Sequence, residues 1–213
     1  MNRQPEIDEA VDFVGIGLVV EGGLILLALL LAWWGLYDHH QPLNLITLNS
    51  LGWASAWGVA ATLPMLTLFG VQYFWRPRWM QPMWEFVDER LRPVFQQAST
   101  GQIVLMAVLA GLGEELFFRW CVQGGLTSVL EPHTGALHAT VIGLVLGSAS
   151  FSLCHCVNAA YGWTTLIVGF YFGIVMLASG SFLVPAVSHT LYDLIAMLCL
   201  AKLPAPRDQH KSP

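Results

Sequence analysis

Six apolar runs of about twenty residues each divide the chain, and they decide what it can fold into. They lie at roughly 11–37, 51–75, from near Gly101 onward, as a pair within 139–180, and at 182–201. About twenty apolar residues are what an α-helix needs to cross a ~30 Å hydrocarbon layer. The runs do not alternate polar with apolar positions, as the strands of a membrane barrel do. In lipid the backbone must satisfy its own hydrogen bonds, so such runs are helices. Only 11% of residues are charged and 55% are hydrophobic, and the mean hydropathy is +0.60. Soluble domains are about a quarter charged. The expected fold is all-α, a polytopic transmembrane helical bundle of about six spans.

Residues 76–100 break the pattern. They are rich in Arg, Trp and Phe, too polar to span, and read as an interfacial amphipathic segment broken by Pro82 and Pro93. Pro64 marks a kink in the second run. A linker is expected around 131–135 and a turn at 158–162. The chain then divides into residues 1–100 (two spans and the interfacial linker), 101–201 (a helical core) and 202–213 (a polar, Pro-bearing tail expected to be disordered). With six spans, every Lys and Arg outside a span (Arg3, Arg76, Arg78, Arg90, Arg92, Lys202, Arg207, Lys211) falls on one side. The positive-inside rule makes that side cytoplasmic, with both termini there, and the expected location is the plasma (inner) membrane. Trp33, Trp34, Trp75, Trp79 and Trp163 fall near span ends, where interfacial aromatics belong. The start of the chain holds five acids and only Arg3, so no signal peptide is expected. Without a basic block, nucleic acid is not an expected partner; membrane lipid is. Cys121, Cys154, Cys156 and Cys199 read as small buried thiols rather than a disulfide frame.

Chemistry enters with Gly111-Leu-Gly-Glu-Glu-Leu-Phe-Phe-Arg-Trp120, inside the third apolar run. Each charge near the bilayer centre costs roughly 2.5–3.5 kcal/mol unless it is paired. Glu115 and Arg119, four apart on one helix face, are expected to form a structural ion pair. Glu114, rotated about 100° from Glu115, is left over, and an unpaired intramembrane carboxylate is a functional candidate. The bland alternative is that all three face a watery crevice at a helix end. His155 closes an uncharged stretch, and His189 and Asp193 stand four apart in the last run. Side chains from separate spans must converge to satisfy one another, and Glu, His, His and Asp together build a hydrolytic site.

These patterns, Glu-Glu-x-x-x-Arg at 114–119, Phe-x-x-x-His at 151–155 and His-x-x-x-Asp at 189–193, follow one another on successive apolar segments. In that order they resemble the CPBP family of intramembrane endopeptidases (the CAAX protease and bacteriocin-processing, or Abi, family), which includes the type II CAAX prenyl proteases. The likeness runs from about Gly101 to Ala196. It implies peptide-bond hydrolysis within the membrane on a peptide or protein substrate, lipidated in some members. It also implies that Glu114 and His155 activate a water and that His189 and Asp193 stabilise the oxyanion. A silent scaffold or bacteriocin-immunity-type protein keeping the same fold is the alternative, and a proton-coupled transporter is a further rival.

Asp193 departs from a simple oxyanion role. An Asn there could donate a hydrogen bond, whereas an ionised Asp repels an oxyanion. Asp193 must then be protonated, orient His189, or serve a metal. The family is described both as glutamic and as metalloprotease, so the cofactor is either none or Zn²⁺; a zinc ion would take His155, His189 and Glu114. Glu114, about 20 Å along its helix from Gly101, and His189 have similar depths. His155 would not share that depth if its span crossed fully, which predicts a recessed turn or a helix ending in a watery cavity. Glu21 reads as a snorkelling or bundle-facing carboxylate, His39 and His40 as loop surface, and His133 and His138 as linker residues. The aromatic linker reads as an anchor rather than a gate for substrate.

Overall fold

The structure is a computed structural model that describes residues 4–33 and 48–206, with side-chain surroundings from residue 14 and from residue 51 in those segments. His39, His40, Trp34, Arg3, Arg207 and Lys211, with the end of the expected tail, lie outside the described residues. Among the described residues seven helices follow one another: α1 (Gln4–Trp33), α2 (Leu48–Trp75), α3 (residues 81–97), α4 (Thr100–Thr134), α5 (Ala136–Cys154), α6 (Ala159–Ser179) and α7 (Leu183–Lys202). Among the described residues there is no strand, and six of the helices are long and apolar enough to cross a membrane. The molecule is an integral membrane protein. Apolar side chains such as Leu26, Leu63, Val141 and Ile167 point outward, as lipid-facing residues should.

α7 is central. It packs against α2 on one side and α4 on the other, while α5 and α6 pack together and lean on the second half of α4. Gly111 allows the α4–α7 approach: a Cβ there would stand 2.6 Å from the backbone N of Thr190 and 2.9 Å from the carbonyl of Ala186. Gly113 does the same for α1, whose Glu21 carbonyl would lie 2.7 Å from an added Cβ.

α4 starts on a capping box in which Ser99 and Gln102 exchange side-chain and backbone hydrogen bonds. It runs on for 35 residues, about 52 Å, longer than the hydrocarbon layer is thick. Glu131 to Thr134 complete its last turn, so the expected linker shrinks to Gly135 alone, where a positive φ of 81° reverses the chain in one residue. His133 and His138 therefore sit exposed in helical turns. From Glu115 to Gly124 the turns of α4 widen to π geometry, a form common at functional sites.

The hairpin at Gly135 settles the depth of His155. Glu115 stands twenty residues before Gly135 and His155 twenty after it, so the two arms bring them to one level. α5 stops there, a turn at 155–158 follows, and Asn158 starts α6 by accepting from the Tyr161 N–H at 3.0 Å.

Residues 76–97 are no mere surface anchor. After a short turn at Arg78–Met80, Pro82 and Pro93 each fall at the start of a helical piece, where the missing N–H costs nothing, and the turn between them widens. The prolines thus shape a continuous helix instead of breaking it. α3 buries Met83, Trp84, Val87 and Phe95 against Val14, Tyr73, Met106, Ala160 and Leu200. Polar bonds fasten both ends. Asp88 accepts from Arg76 and Arg92, and Arg92 Nη1 donates to the carbonyls of Leu200 and Leu203 at 3.1 and 2.6 Å, capping α7. Asn158 donates to the Pro82 carbonyl at 3.1 Å. Of the cysteines, Cys121 is buried and Cys199 partly so. Cys154 and Cys156 are exposed, because the end of α5 turns them outward. Cys154, Cys156 and Cys199 are free thiols.

Candidate active site

A cavity of about 370 Å³ between α1, α2, α3, α4, α6, α7 and the end of α5 is lined by Glu21, Glu114, His155, His189 and Asp193 among apolar neighbours. The structure therefore brings Glu114, His155, His189 and Asp193, from three different helical segments, to one wall.

Each imidazole is fixed through its Nδ1. His155 Nδ1 lies 2.9 Å from the Phe151 carbonyl, which can only accept, so that nitrogen carries a proton. The Phe151 ring also stacks on His155, centroids 4.5 Å apart. The Phe-x-x-x-His spacing is thus a bracket: one residue supplies both the carbonyl and the ring that hold the imidazole one turn later. His189 Nδ1 lies 3.0 Å from Glu115 Oε1, while Phe172 stacks on its face at 4.7 Å. Glu115 Oε2 in turn accepts from Arg119 Nε at 2.9 Å, and both side chains are fully buried. Arg119 Cζ rests 5.0 Å from the Phe151 ring centroid, which ties this pair to the His155 bracket.

With both Nδ1 atoms engaged, both Nε2 atoms face Glu114. His155 Nε2 is 3.4 Å from Glu114 Oε1 and His189 Nε2 is 3.8 Å from Glu114 Oε2. Asp193 Oδ2 stands 3.5 Å from the same His189 nitrogen. Glu114 is 5% exposed, and its Oε2 has no hydrogen-bond partner. A buried carboxylate between two oriented imidazoles can take a proton from a small nucleophile and return it.

His155, His189 and Glu114, the expected ligands of a zinc ion, come together with one Glu114 oxygen toward each imidazole, while among the described residues no three His, Cys, Asp or Glu side chains are grouped to hold a metal ion.

Sequence reasoning missed one feature. Glu115 is more than the partner of Arg119, since it also binds His189; the ~100° step between neighbours hid this, because the widened turns begin at Glu115. Of the two readings of Glu21, the bundle-facing one holds: it lines the cavity together with Glu114.

Fold and site together define a helical integral membrane protein with a buried Glu–His–His–Asp cluster. Residues 96–195 match the family described as type II CAAX prenyl endopeptidase Rce1-like, the kinship that the three ordered motifs resemble. The match covers a little under half of the chain and contains every residue of the cluster. It supports a protease of the CAAX type. No curated protein and no solved structure matches the chain.

Proposed function

We propose that this protein is an intramembrane endopeptidase that hydrolyses a peptide bond with a water activated by Glu114 and His155. The observation that carries this reading is the pair of Nε2 atoms, from two differently tethered imidazoles, aimed at one buried carboxylate at 3.4 and 3.8 Å. A water between Glu114 and His155 gives a proton to Glu114 while its oxygen attacks the scissile carbonyl carbon. His189, with Nδ1–H held by Glu115, donates from a protonated Nε2 to the developing oxyanion. Asp193 orients that imidazole and balances its charge, a role that suits an acid better than direct contact with the oxyanion. As the C–N bond breaks, the proton on Glu114 passes to the departing amine, leaving a carboxylate and an amine. Burial of Glu114 and His189 strengthens each of these interactions.

The substrate class that fits is a peptide or protein segment held in or at the membrane, lipidated or not, reached from a plasma membrane whose cytoplasmic face carries α3 and both termini. Membrane proteins from cells expressing wild type are to be compared with those from cells expressing Glu114→Ala at matched levels. A shortened product seen only with wild type is expected. If no product differs between the two, the enzyme reading fails.

A further inference from the structure

The proposed reaction puts a negative charge on the scissile carbonyl oxygen, and one donor, His189 Nε2, has been assigned to it. Oxyanion sites work through several fixed donors aimed at that oxygen. Asp193, 3.5 Å from the same nitrogen, brings a carboxylate and no N–H. A second donor has to come from another residue of the cavity wall. The wall carries the hydroxyls of Tyr161, Thr164, Thr165 and Tyr192. Thr164 and Thr165 donate to carbonyls one turn back on their own helix, at 2.9 and 3.0 Å, and are engaged. The phenol hydroxyls of Tyr161 and Tyr192 have no hydrogen-bond partner among the described residues, and neither is sealed in protein as Glu114 Oε2 is.

Tyr161 is the better placed of the two. It stands in the first turn of α6, where its N–H donates to Asn158 Oδ1 at 3.0 Å and Asn158 Nδ2 donates to the Pro82 carbonyl at 3.1 Å. Its ring meets Phe86 of α3 edge-on, centroids 5.9 Å apart. The start of α6 and α3 thus hold this side chain together. The Tyr161 hydroxyl is within electrostatic reach of both Asp193 and Glu114. Those carboxylates flank His189 Nε2 at 3.5 and 3.8 Å. Tyr192, edge-on to Phe69 at 6.2 Å, reaches Asp193 and Tyr161. A phenol donates a hydrogen bond without carrying a charge of its own, which suits a position between two acids. We propose that Tyr161 is a further catalytic residue of this site: its O–H donates to the scissile carbonyl oxygen as that oxygen becomes negative, alongside His189 Nε2–H. Tyr161 then supplies the hydrogen bond that Asp193 cannot. This rests on the endopeptidase reading and assigns a role that none of the three motifs contains.

The test uses the full chain in lipid nanodiscs. The substrate is the segment cleaved only by wild type in the comparison of membrane proteins, made as an internally quenched peptide. Two uncleavable versions accompany it: a phosphinate, which carries a charged oxygen where the oxyanion forms, and a reduced amide, which has no oxygen there. Tyr161→Phe, with thermal unfolding like that of wild type, is expected to lower kcat by about 10²–10³-fold with KM little changed. It should weaken the phosphinate by a similar factor and leave the reduced amide bound as before. Tyr192→Phe should stay close to wild type in all three measurements. A Tyr161→Phe enzyme with wild-type kcat, an equal loss of affinity for both uncleavable peptides, or an equal loss of kcat in Tyr192→Phe overturns the proposal. Should Tyr161→Phe unfold, wild type in which Tyr161 alone is replaced by O-methyltyrosine repeats the comparison with the donor removed and the ring kept. Cleavage by wild type with no dependence on Tyr161 would remove this inference and leave the endopeptidase reading standing. Absence of any cleavage by wild type would remove that reading, and the assignment of Tyr161 with it.

Discussion

At the scale of single residues, the site separates groups that hold from groups that react. Glu115 and Arg119 hold: both are fully buried, bonded at 2.9 Å, and carry His189. Removing one member leaves the other charge buried, so Arg119→Met should lower unfolding stability by about 3–5 kcal/mol. Glu114 is the group proposed to react, and one of its oxygens has no partner to lose. Glu114→Gln should leave stability unchanged or raised while cleavage falls by roughly 10²–10⁴-fold. Denaturant unfolding in micelles checks both, and equal losses of stability in the two variants would contradict the division. That Glu114, His155, His189 and Asp193 come together was legible from polarity, because each interrupts an apolar run. Which oxygen faces which nitrogen was not, since it depends on tethers such as the Phe151 carbonyl and on widened turns that regular helical spacing does not foresee.

At the scale of elements, close approach and fastening set the geometry. Gly111 lets α7 bring His189 to Glu114, and the nearest atoms to an added Cβ include backbone of Thr190 and Ala186, which has no room to give. Gly111→Val should therefore separate α4 from α7, cost about 1–3 kcal/mol and abolish cleavage even though it touches no reacting group. A variant with wild-type thermal stability and turnover would contradict this. α3 depends on Arg92, which binds Asp88 and the last carbonyls of α7. Arg92→Met should raise hydrogen exchange in residues 81–97 and 199–203 together, and protection unchanged in both would show that α3 holds by apolar packing alone. The spans were readable from hydropathy, but the role of α3 was not. Its charges suggested a surface location, whereas its Trp, Met and Phe residues turn inward and its arginines serve as fasteners. The expected linker at 131–135 failed for a similar reason: Pro132 and Gly135 both suggested irregular chain, and only the glycine breaks the helix.

At the scale of the whole molecule, the candidate spans among the described residues include one long helix, α4, of 35 residues, which doubles back at Gly135 into α5, of 19. α3 packs against α1, α6 and α7 and lines the cavity with Met83, Trp84, Val87, Leu91 and Phe95. The proposed orientation places α3 and the end of α7 in the cytoplasm and the Gly135 and Gly180 turns opposite. In a background lacking the four native cysteines, Glu131→Cys should react with a membrane-impermeant maleimide on intact cells and Lys202→Cys only after permeabilisation; the reverse pattern would overturn it. Because the Glu114 carboxylate lies between the imidazoles, chelation is expected to leave turnover intact. Loss with EDTA and rescue by Zn²⁺ would require the cluster to rearrange around an ion.

The most direct test uses purified protein in nanodiscs, a substrate taken from the comparison of membrane proteins, and water enriched in ¹⁸O. Wild type should produce a new C-terminus carrying one ¹⁸O atom, and folded Glu114→Gln should produce none. Cleavage by Glu114→Gln at a rate near wild type, or a wild-type product without the label, would contradict a water activated by this carboxylate.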